Sequence, residues 1–421
     1  MKAKKVKPSS LMMSHGFNSE LSEGAVKTPI FLSSTFVFKS AEEGARAFAL
    51  AYGLEESKEG EISPLIYGRL NQPNLQIAEE RLNLWENDSE DCAIFSSGLA
   101  AITTIFNTFL KPGDLLLCSS PVYGGTDHYL KKVLSQKGIE VIFFNKNQTI
   151  EEIIAIRYEK QDKKVGMIYL ESPANPTNDL FDISLFKNLA ESFSTDENKT
   201  LLVVDNTYMG PIWQNPIVHG ADLVVYSATK YIGGHSDLIA GACLGSKKLI
   251  QEIKVQRTFL GNMSDPHTCW MLTRSLETLE VRMQRQAFNA NKIAKYLSKH
   301  PMVSKVYFLG NLNPSQDVNQ FQIKQKQCIG NGAMIAFDIV GGKSAAYKFL
   351  NSLKLAKLAV SLGGTESLVE HPFTMTHADV TTDEKIKSGV TENMIRYSVG
   401  VEFYKDLIRD IKQAFEKVGK D

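Results

Sequence analysis

Residues 201–230 read LLVVDNTYMGPIWQNPIVHGADLVVYSATK, and this stretch contains two apolar runs that each end in polar residues. Short apolar runs such as LLVV (201–204) and LVVY (223–226) are typical of strands buried on both faces of a parallel sheet. Asp205 ends the first run, and Lys230 follows the second after a few small residues. The stretch therefore predicts two strands that present an acid and an amine at their carboxyl ends.

The same alternation of apolar runs and helical segments begins at about Asp91. Residues 96–110 have helical apolar spacing, and a helix from Thr126 to Gln136 should end at Gly138. Further predicted strands are LLLCSS (115–120), EVIFF (140–144), VGMIYLES (165–172) and AGACLGS (240–246). Strands that alternate with helices predict an α/β domain with a mostly parallel sheet. Because ligands bind at the carboxyl ends of such strands, we expect the chemistry at 171–173, 205–206 and 227–230.

The flanking regions predict a different organisation. A helical stretch runs from Trp270 to about His300, and an α+β cap should follow it. The predicted elements of the cap are strands at 304–308 and 333–339, a polar surface loop from Asn311 to Gln327, and helices near 344–353 and 405–418. Before residue 80 we expect irregular structure with a charged stretch, GLEESKEGEISP (53–64). The predicted division is an N-terminal segment 1–80, an α/β domain 81–273 and a smaller α+β domain 274–421.

Composition argues against several classes of protein. Lys and Arg together number 47, as do Asp and Glu, so we expect neither nucleic acid nor an anionic membrane surface as a partner. No apolar run is long enough to span a bilayer, and no apolar core follows the basic residues of 1–10, so we expect no secretory signal. The five cysteines are widely spaced and form no C-x-x-C pair. This predicts reduced thiols in a cytosol, without a disulfide framework or a metal site.

Lys230 lies in YSATKYIGGHSD (226–237), at the end of a predicted strand and before two glycines. A single lysine is most often a solvated surface residue, but an acid at the end of the preceding strand changes that expectation. Pyridoxal 5′-phosphate (PLP) chemistry needs a lysine that forms a Schiff base and moves protons, and an acid that keeps the pyridine nitrogen protonated. Lys230 and Asp205 match these two requirements and predict a PLP enzyme.

Other residues are candidates for the phosphate and the ring. Ser97-Gly98-Leu99 opens a predicted helix, whose N-terminus can bind phosphate, although Ser-Ser-Gly is also an ordinary helix cap. Ser227 and Thr229 could add hydroxyl groups, and Tyr123 could stack on the ring. We do not interpret His235-Ser236-Asp237 as a triad or a metal site, because three consecutive residues cannot converge on one point.

Seven stretches together resemble the Cys/Met-metabolism family of PLP enzymes, which includes cystathionine γ-synthase, cystathionine γ- and β-lyases, methionine γ-lyase and the homoserine sulfhydrylases. The resemblance covers roughly residues 24–418. It rests on YSATKYIGGHSD, ESPANPTN (171–178), VVDNTY (203–208), SSGLAAI (96–102), VYGGT (122–126), AVSLGGTESL (359–368) and MIRYSVGVE (394–402). It implies PLP-dependent transferase fold type I, which is aspartate-aminotransferase-like, and a homotetramer of two active dimers.

The resemblance also implies roles for individual residues. Lys230 would hold PLP, Asp205 would pair with the pyridine nitrogen, and Tyr123 would stack on the ring and assist proton transfer. The phosphate would be held by Ser97, Gly98, Leu99, Ser227 and Thr229. Tyr67 and Arg69, in IYGRLNQPN (66–74), match a Tyr-x-Arg motif that reaches the phosphate of the neighbouring subunit. The substrate carboxylate would be bound by Asn175, Ser361 and Arg396, with Arg396 as a bidentate fork.

Two positions indicate different subfamilies. Val360 resembles methionine γ-lyases, because cystathionine γ-synthases and γ-lyases usually have Glu there, whereas Gly125 stands where methionine γ-lyases usually have Cys. The resemblance implies a PLP-dependent C–S lyase of a sulfur amino acid, with γ-elimination ahead of β-elimination and a thiol, ammonia and a 2-oxo acid as products. The alternatives are cystathionine β-lyase, γ-replacement as cystathionine γ-synthase or homoserine sulfhydrylase, an aminotransferase on the same fold, and a non-catalytic binding protein.

Overall fold

The computed structural model describes residues 6–56, 58, 64–159 and 163–419. The chain divides into two compact units, each assembled from separate segments. Unit 1 comprises Met1–Phe109, Val225–Gly233 and Asp237–Leu279, and unit 2 comprises Leu110–Val224, Gly234–Ser236 and Glu280–Asp421. Half of the basic N-terminal tail and half of the charged stretch 53–64 lie outside the described residues.

The elements of the described residues are numbered in chain order. The strands are β1 (Asp91–Phe95), β2 (Leu115–Ser120), β3 (Glu140–Asn145), β4 (Val165–Glu171), β5 (Leu201–Asp205), β6 (Leu223–Tyr226), β7 (Gly241–Gly245), β8 (Val303–Tyr307), β9 (Met334–Ile339), β10 (Lys357–Leu358), β11 (Leu368–Glu370) and β12 (Met394–Ser398). The α-helices are α1 (Pro8–Leu11), α2 (Ala41–Ala51), α3 (Pro73–Asn83), α4 (Gly98–Phe109), α5 (Gly124–Tyr129), α6 (Ile150–Tyr158), α7 (Ile183–Phe193), α8 (Gly210–Trp213), α9 (Lys247–Leu260), α10 (Pro266–Leu276), α11 (Leu279–Leu297), α12 (Val318–Gln327), α13 (Gly342–Ser352), α14 (Thr382–Lys387) and α15 (Tyr404–Val418).

Unit 2 contains the parallel sheet that the sequence predicts. Its strand order is β6-β5-β4-β2-β3, with β6 contributing its first two residues. The pairs β5–β4, β4–β2 and β2–β3 are all parallel. Every residue of β4 and β5 is buried, which explains why these strands are continuous apolar runs and do not alternate with polar residues.

Unit 1 contains β1 and β7, which pair antiparallel, and the last two residues of β6 next to β7. The prediction of irregular structure before residue 80 is wrong, because α2 and α3 lie there. Both helices have side-chain caps. The Ser40 side chain caps α2 by accepting from the Glu43 N–H, and the side chain of Gln72, the residue before Pro73, caps α3 by accepting from the Leu75 N–H. These caps satisfy N–H groups that a helix start leaves unpaired.

A second, smaller sheet of unit 2 has the order β10-β11-β12-β9-β8. Its pairs are antiparallel except β10–β11. Helices α13 and α15 pack together, and the rings of Phe349 and Phe415 lie 4.6 Å apart between centroids. These elements match the α+β cap expected from the sequence.

Two predicted helices differ in detail from the structure. The helix expected from Thr126 begins at Gly124 and continues beyond Tyr129 as a π-helical turn and a 3₁₀ turn before Gly138, whose φ of 77° ends it. The single helical stretch expected after Trp270 is two helices, α10 and α11, separated at 277–278. Apolar spacing cannot reveal such breaks, because the apolar face continues on both sides.

The polar surface loop expected at 311–327 is wrong for most of its length, because α12 occupies 318–327. Gln327 is 2% exposed: its Oε1 accepts from the Ile183 N–H at 3.2 Å and its Nε2 donates to the Phe181 carbonyl at 3.1 Å. Gln320 makes the equivalent pair of bonds with Leu180. Both glutamines bind the backbone around Leu180–Ile183. The prediction of a surface loop was based on the polar composition of the segment, which does not reveal these bonds.

No helix among the described residues is both long enough and apolar enough to cross a bilayer. All five cysteines carry free thiols, and Cys328 is the one that is not fully buried.

Candidate active site

Unit 1 places Lys230 in a tight turn that follows β6. The Lys230 N–H donates to the Ser227 carbonyl at 3.0 Å, and the Gly233 N–H donates to the Ala228 carbonyl at 2.7 Å. These bonds fold residues 227–233 into a turn immediately after the strand. The turn keeps Lys230 at the carboxyl end of the strand, where ligands bind in open α/β sheets. The half-buried Lys230 therefore lies at the carboxyl end of β6, where the sequence predicted it.

Thr229 fastens this turn to the segment that leads into β7. Its Oγ1 accepts from the Ala240 N–H at 3.0 Å and donates to the Ala240 carbonyl at 3.1 Å. The Thr229 hydroxyl therefore donates its proton to the Ala240 carbonyl. A phosphate oxygen accepts hydrogen bonds, so it would need that same proton. In this arrangement Thr229 supports the lysine turn, a role that its sequence position did not reveal.

The start of α4 approaches the lysine turn at Gly98. A Cβ on Gly98 would lie 2.8 Å from the Ser227 Cβ and 2.9 Å from its Cα, closer than real Cβ atoms come. Ser97 caps the helix, because its Oγ accepts from the Ala100 N–H at 3.0 Å. Only glycine allows this approach, which brings helix N–H groups beside the Ser227 hydroxyl. Such a cradle of N–H and O–H donors at a helix N-terminus suits a phosphate.

Tyr67 and Arg69 lie elsewhere in unit 1. Arg69 Nη1 donates to the Thr258 carbonyl at 2.9 Å, and its guanidinium carbon is 5.7 Å from the centroid of the Tyr67 ring. Both residues line an open cavity of about 390 Å³, together with Leu32 and Met263 and without any residue of the lysine turn. The structure therefore does not place this pair in the group formed by Ser97, Gly98, Ser227 and Lys230.

Unit 2 places Asp205 at the end of β5 with two neutral donors. Oδ1 accepts from the Thr207 N–H at 2.9 Å and Oδ2 accepts from the Tyr169 hydroxyl at 3.1 Å. The residue is 5% exposed, and burial raises the pKa of its carboxyl. A buried carboxylate whose contacts are neutral is suited to a cationic partner such as a protonated ring nitrogen.

Glu171 lies beside Asp205 at the end of the neighbouring strand β4. Its Oε2 accepts from the Tyr123 N–H at 2.7 Å and its Oε1 accepts from the Asn175 N–H at 2.8 Å. Burial, reinforced by the nearby Asp205 carboxyl, raises the pKa of Glu171 to about 8. The sequence placed Glu171 at the expected edge of the sheet but assigned it no role.

Tyr123 follows β2, and its side chain is 46% exposed. A Cβ on Gly125 would lie 2.6 Å from Cε1 of the Tyr123 ring. Glycine at 125 therefore leaves the space that the ring occupies. Three adjacent parallel strands, β2, β4 and β5, thus lead to Tyr123, which follows β2, and to Glu171 and Asp205, which end β4 and β5. This agrees with the sequence-based expectation for 171–173 and 205–206.

The residues expected to bind a carboxylate meet around Arg396, which is 3% exposed. Its Nη1 donates to Asn175 Oδ1 at 3.2 Å and its Nη2 donates to the Ser361 carbonyl at 2.7 Å. Glu370 Oε1 lies 2.9 Å from the same guanidinium. Unit 2 therefore brings Asn175, Ser361 and Arg396 together, and it adds Glu370, which the sequence did not single out.

The Ser361 segment is held in an uncommon conformation. Ser361 has a φ of 86°, in the left-handed region that non-glycine residues rarely adopt. The Gly363 N–H donates to Ser398 Oγ at 2.9 Å, and the buried Gln286 donates from Nε2 to the Gly364 carbonyl at 2.6 Å. A strained backbone conformation persists only where many surrounding contacts hold it in place. Such conformations are common at ligand sites. Val360, the preceding residue, is 56% exposed.

The fold and these residues define a PLP-dependent enzyme of fold type I, with a large sheet and a smaller C-terminal domain. The sequence matches the family described as Cys/Met metabolism PLP-dependent enzymes over residues 9–416, and the chain belongs to that family. The expected cofactor, PLP, is therefore confirmed, as is the expected fold.

Named relatives agree with this assignment. The chain is 38% identical to an L-methionine gamma-lyase of Treponema denticola over 94% of each chain, and 35% identical to a cystathionine gamma-lyase of Bacillus subtilis over 98% of this chain and 100% of that one. Among solved structures, cystathionine gamma synthase from Xanthomonas oryzae pv. oryzae matches with a TM-score of 0.86 and 30% identity over 99% of both chains. Cystathionine gamma-lyase from Lactobacillus plantarum matches with a TM-score of 0.85 and 31% identity, over 99% of this chain and all of that one.

Proposed function

We propose that this PLP-dependent carbon–sulfur lyase performs γ-elimination on a sulfur amino acid with an uncharged distal group, of which methionine is the reference. The products would be a thiol, ammonia and a 2-oxo acid. The choice of substrate rests on Val360. This apolar residue is exposed and directly precedes Ser361, whose carbonyl binds Arg396. The likeness to methionine gamma-lyases supports the same choice.

The residues of unit 1 would hold the cofactor and move protons. PLP, when bound, supplies an electron sink for carbanion character on the substrate. The Lys230 amine would carry the cofactor and then take and return protons at the substrate carbons. The N–H groups at the start of α4, from Ser97-Gly98-Leu99, and the Ser227 hydroxyl would bind the phosphate.

The residues of unit 2 would set the charges and orient the substrate. The Asp205 carboxylate would hold the positive charge of the ring nitrogen, which maintains the ring as an electron sink. Tyr123 would stack on the ring and assist proton transfer, while Arg396 and Asn175 would fix the substrate carboxylate. With the carboxylate fixed, the remainder of the substrate would extend towards Val360, where apolar contact favours a methyl thioether over an ammonium group.

A second candidate is cystathionine chemistry, either γ-elimination or γ-replacement. It is supported by the likeness to cystathionine gamma synthase and cystathionine gamma-lyase. Cystathionine carries a second ammonium and carboxylate, so an enzyme specific for it needs a charged partner at the mouth of the site. Val360 supplies none.

One assay separates these reactions. The purified enzyme is incubated with methionine, homocysteine, cystathionine or cysteine, and 2-oxobutanoate and pyruvate are quantified separately. Methionine turnover to 2-oxobutanoate with a kcat/KM above that for cystathionine supports the proposal. Pyruvate as the dominant product indicates β-elimination. In a parallel incubation with an activated homoserine and cysteine, formation of cystathionine indicates replacement.

We also propose a cytoplasmic homotetramer of two active dimers, in which the segment 1–80 reaches a neighbouring subunit. Free thiols at all five cysteines fit a reducing compartment. Four apolar side chains of the N-terminal segment are 79–97% exposed in the single chain, namely Leu21, Val26, Leu32 and Val37. Four strongly exposed apolar side chains within one short segment support an interface there. Sedimentation equilibrium should give four chains per particle.

A further inference from the structure

We propose that Glu171 is a positioning residue that holds Tyr123 and Asn175 in a fixed relation by accepting a hydrogen bond from the backbone N–H of each. The inference rests on the proposed function, in which Tyr123 faces the cofactor ring and Asn175 faces the substrate carboxylate. Glu171 would therefore link the cofactor side of the site to the substrate side.

The geometry uses both oxygens of a single carboxylate. The two acceptor distances, 2.7 Å to the Tyr123 nitrogen and 2.8 Å to the Asn175 nitrogen, are short for N–H donors. Glu171 is 4% exposed, so bulk water does not compete for these oxygens. Hydrogen bonds to a buried charged acceptor are about twice as strong as neutral ones. The two segments follow different strands, β2 and β4, and Glu171 joins them at the carboxyl edge of the sheet.

Glu171 is itself held by the sheet, and its effect continues past Asn175. Its N–H donates to the Ser119 Oγ on β2 at 2.8 Å. On the far side, Asn175 Oδ1 accepts from the Tyr208 hydroxyl at 2.9 Å and from Arg396 at 3.2 Å. A shift of the Asn175 backbone would therefore move a partner of the arginine that fixes the substrate carboxylate.

The groups facing Glu171 determine when it is charged. Asp205 on β5 opposes ionisation of Glu171, whereas Arg396 on β12 and the two backbone N–H groups favour it. The other titratable neighbours, Cys118 and Tyr169, both have pKa values raised by burial and stay neutral. Burial and Asp205 raise the pKa of Glu171 to about 8. Only the ionised carboxylate offers two full acceptors, so the two bonds should strengthen as pH rises through this value.

The test is Glu171→Gln in the PLP-loaded enzyme. Glutamine keeps the size of the side chain but replaces one acceptor with an NH₂ donor, which faces an N–H and cannot bond to it. Above pH 8, where Glu171 is ionised, we expect kcat to fall and KM to rise together, each by about 10-fold, the loss that one charge-assisted hydrogen bond accounts for. The ionisation near pH 8 should disappear from the kcat/KM profile, and the visible circular dichroism of bound PLP should weaken because the Tyr123 ring is less ordered.

The matched control is Asp127→Asn. Burial also raises the pKa of Asp127, but this carboxylate pairs with Lys131. The bond between Asp127 and Tyr123 is a backbone one, from the Asp127 N–H to the Tyr123 carbonyl at 3.0 Å, and asparagine keeps it. The variant should therefore match the wild type in all three measurements. If Glu171→Gln does not fold, Glu171→Asp keeps the charge but reaches only one N–H, and it should show the same changes in KM and circular dichroism.

Unchanged KM and circular dichroism in the folded Glu171 variants would overturn the inference, even with a lower kcat, because a merely structural defect reduces the active fraction alone. The circular dichroism comparison needs no substrate. An enzyme that turns over no sulfur amino acid would therefore refute the proposed function and still leave this inference tested.

Discussion

Replacing Asp205 with asparagine should affect the apoenzyme and the PLP-loaded enzyme in opposite directions. The side chain is 5% exposed, and its contacts are the neutral donors Thr207 N–H and Tyr169 hydroxyl. Without a cation the carboxylate is buried at a cost, whereas a protonated ring nitrogen would offset that cost. An amide at 205 can keep the Thr207 bond through its oxygen, and its NH₂ group can donate to the Tyr169 hydroxyl oxygen in place of the bond that Oδ2 accepts, so the main loss is the charge.

The sign for the apoenzyme follows from the direction of the pKa shift. Burial raises the pKa of Asp205 above the ordinary value of 3.8, so the folded state holds the proton more tightly than the unfolded state does. Stability from this group is therefore fully present below pH 3.8 and declines as pH rises through the folded-state pKa. The Asp205→Asn apoenzyme should be more stable than the wild-type apoenzyme at neutral pH, and its stability should fall less with rising pH.

The magnitude for the PLP-loaded enzyme comes from the interaction that is removed. A hydrogen bond to a charged partner contributes about 1.5–3 kcal/mol, which corresponds to a roughly 10- to 150-fold weaker affinity for PLP. At a fixed PLP concentration the stabilisation by cofactor should shrink by the same free energy. Turnover should fall further, because the ring nitrogen loses the charge that keeps it protonated.

The assay is thermal unfolding with and without PLP between pH 5 and pH 8.5, combined with PLP titration by visible absorbance. Tyr169→Phe is the matched control, because it removes a neutral donor from Asp205 and leaves the charge; its loss of PLP affinity should stay within about 10-fold. If the Asp205→Asn apoenzyme is destabilised as much as the loaded enzyme, or if PLP affinity is unchanged, Asp205 does not pair with the ring nitrogen.

Three further outcomes are expected. Lys230→Ala should lose the visible absorbance of lysine-bound PLP and nearly all turnover, and a yellow, fully active variant would refute the assignment of the cofactor lysine. Mixing Arg69→Ala chains with Lys230→Ala chains should restore part of the activity if Arg69 serves a neighbouring subunit, since one mixed site keeps both wild-type residues; mixed oligomers, verified as such, that stay inactive would contradict this. Val360→Glu should shift the ratio of kcat/KM values towards cystathionine by about 1–3 kcal/mol if its carboxylate pairs with the distal ammonium. A wild type that already prefers cystathionine, with no gain in the variant, would show that the distal group is recognised elsewhere.

The local pattern of the sequence was sufficient for the α/β architecture and for the strand ends that carry chemistry. Apolar runs at the start of 115–120, 165–172 and 201–207 predicted buried parallel strands, because strands covered on both faces need no alternation. Asp205 and the Lys230 turn then follow from chain position, since the residues after such strands lie at one edge of a sheet. The family motifs added the residues around Arg396, which unit 2 does bring together.

Features that depend on distant partners were not visible in the sequence. The helix α12 was predicted as a surface loop because glutamine-rich segments are usually solvated, but Gln320 and Gln327 bind the backbone of 180–183. Helices α2 and α3 were missed because their starts depend on cap bonds from Ser40 and Gln72 rather than on a long apolar stripe.

Within the site, chain position determined which residues reach the edge of the sheet, and the tertiary structure decided their partners. Thr229 uses its proton on Ala240, Glu171 accepts from two backbone segments, and Glu370 pairs with Arg396. A sequence specifies donors and acceptors, but a hydrogen bond requires two atoms within about 3 Å of each other. That proximity arises only when strands and loops far apart in the chain are packed together, which is why the sequence identified Asp205 and Lys230 and the structure was needed to find Glu171.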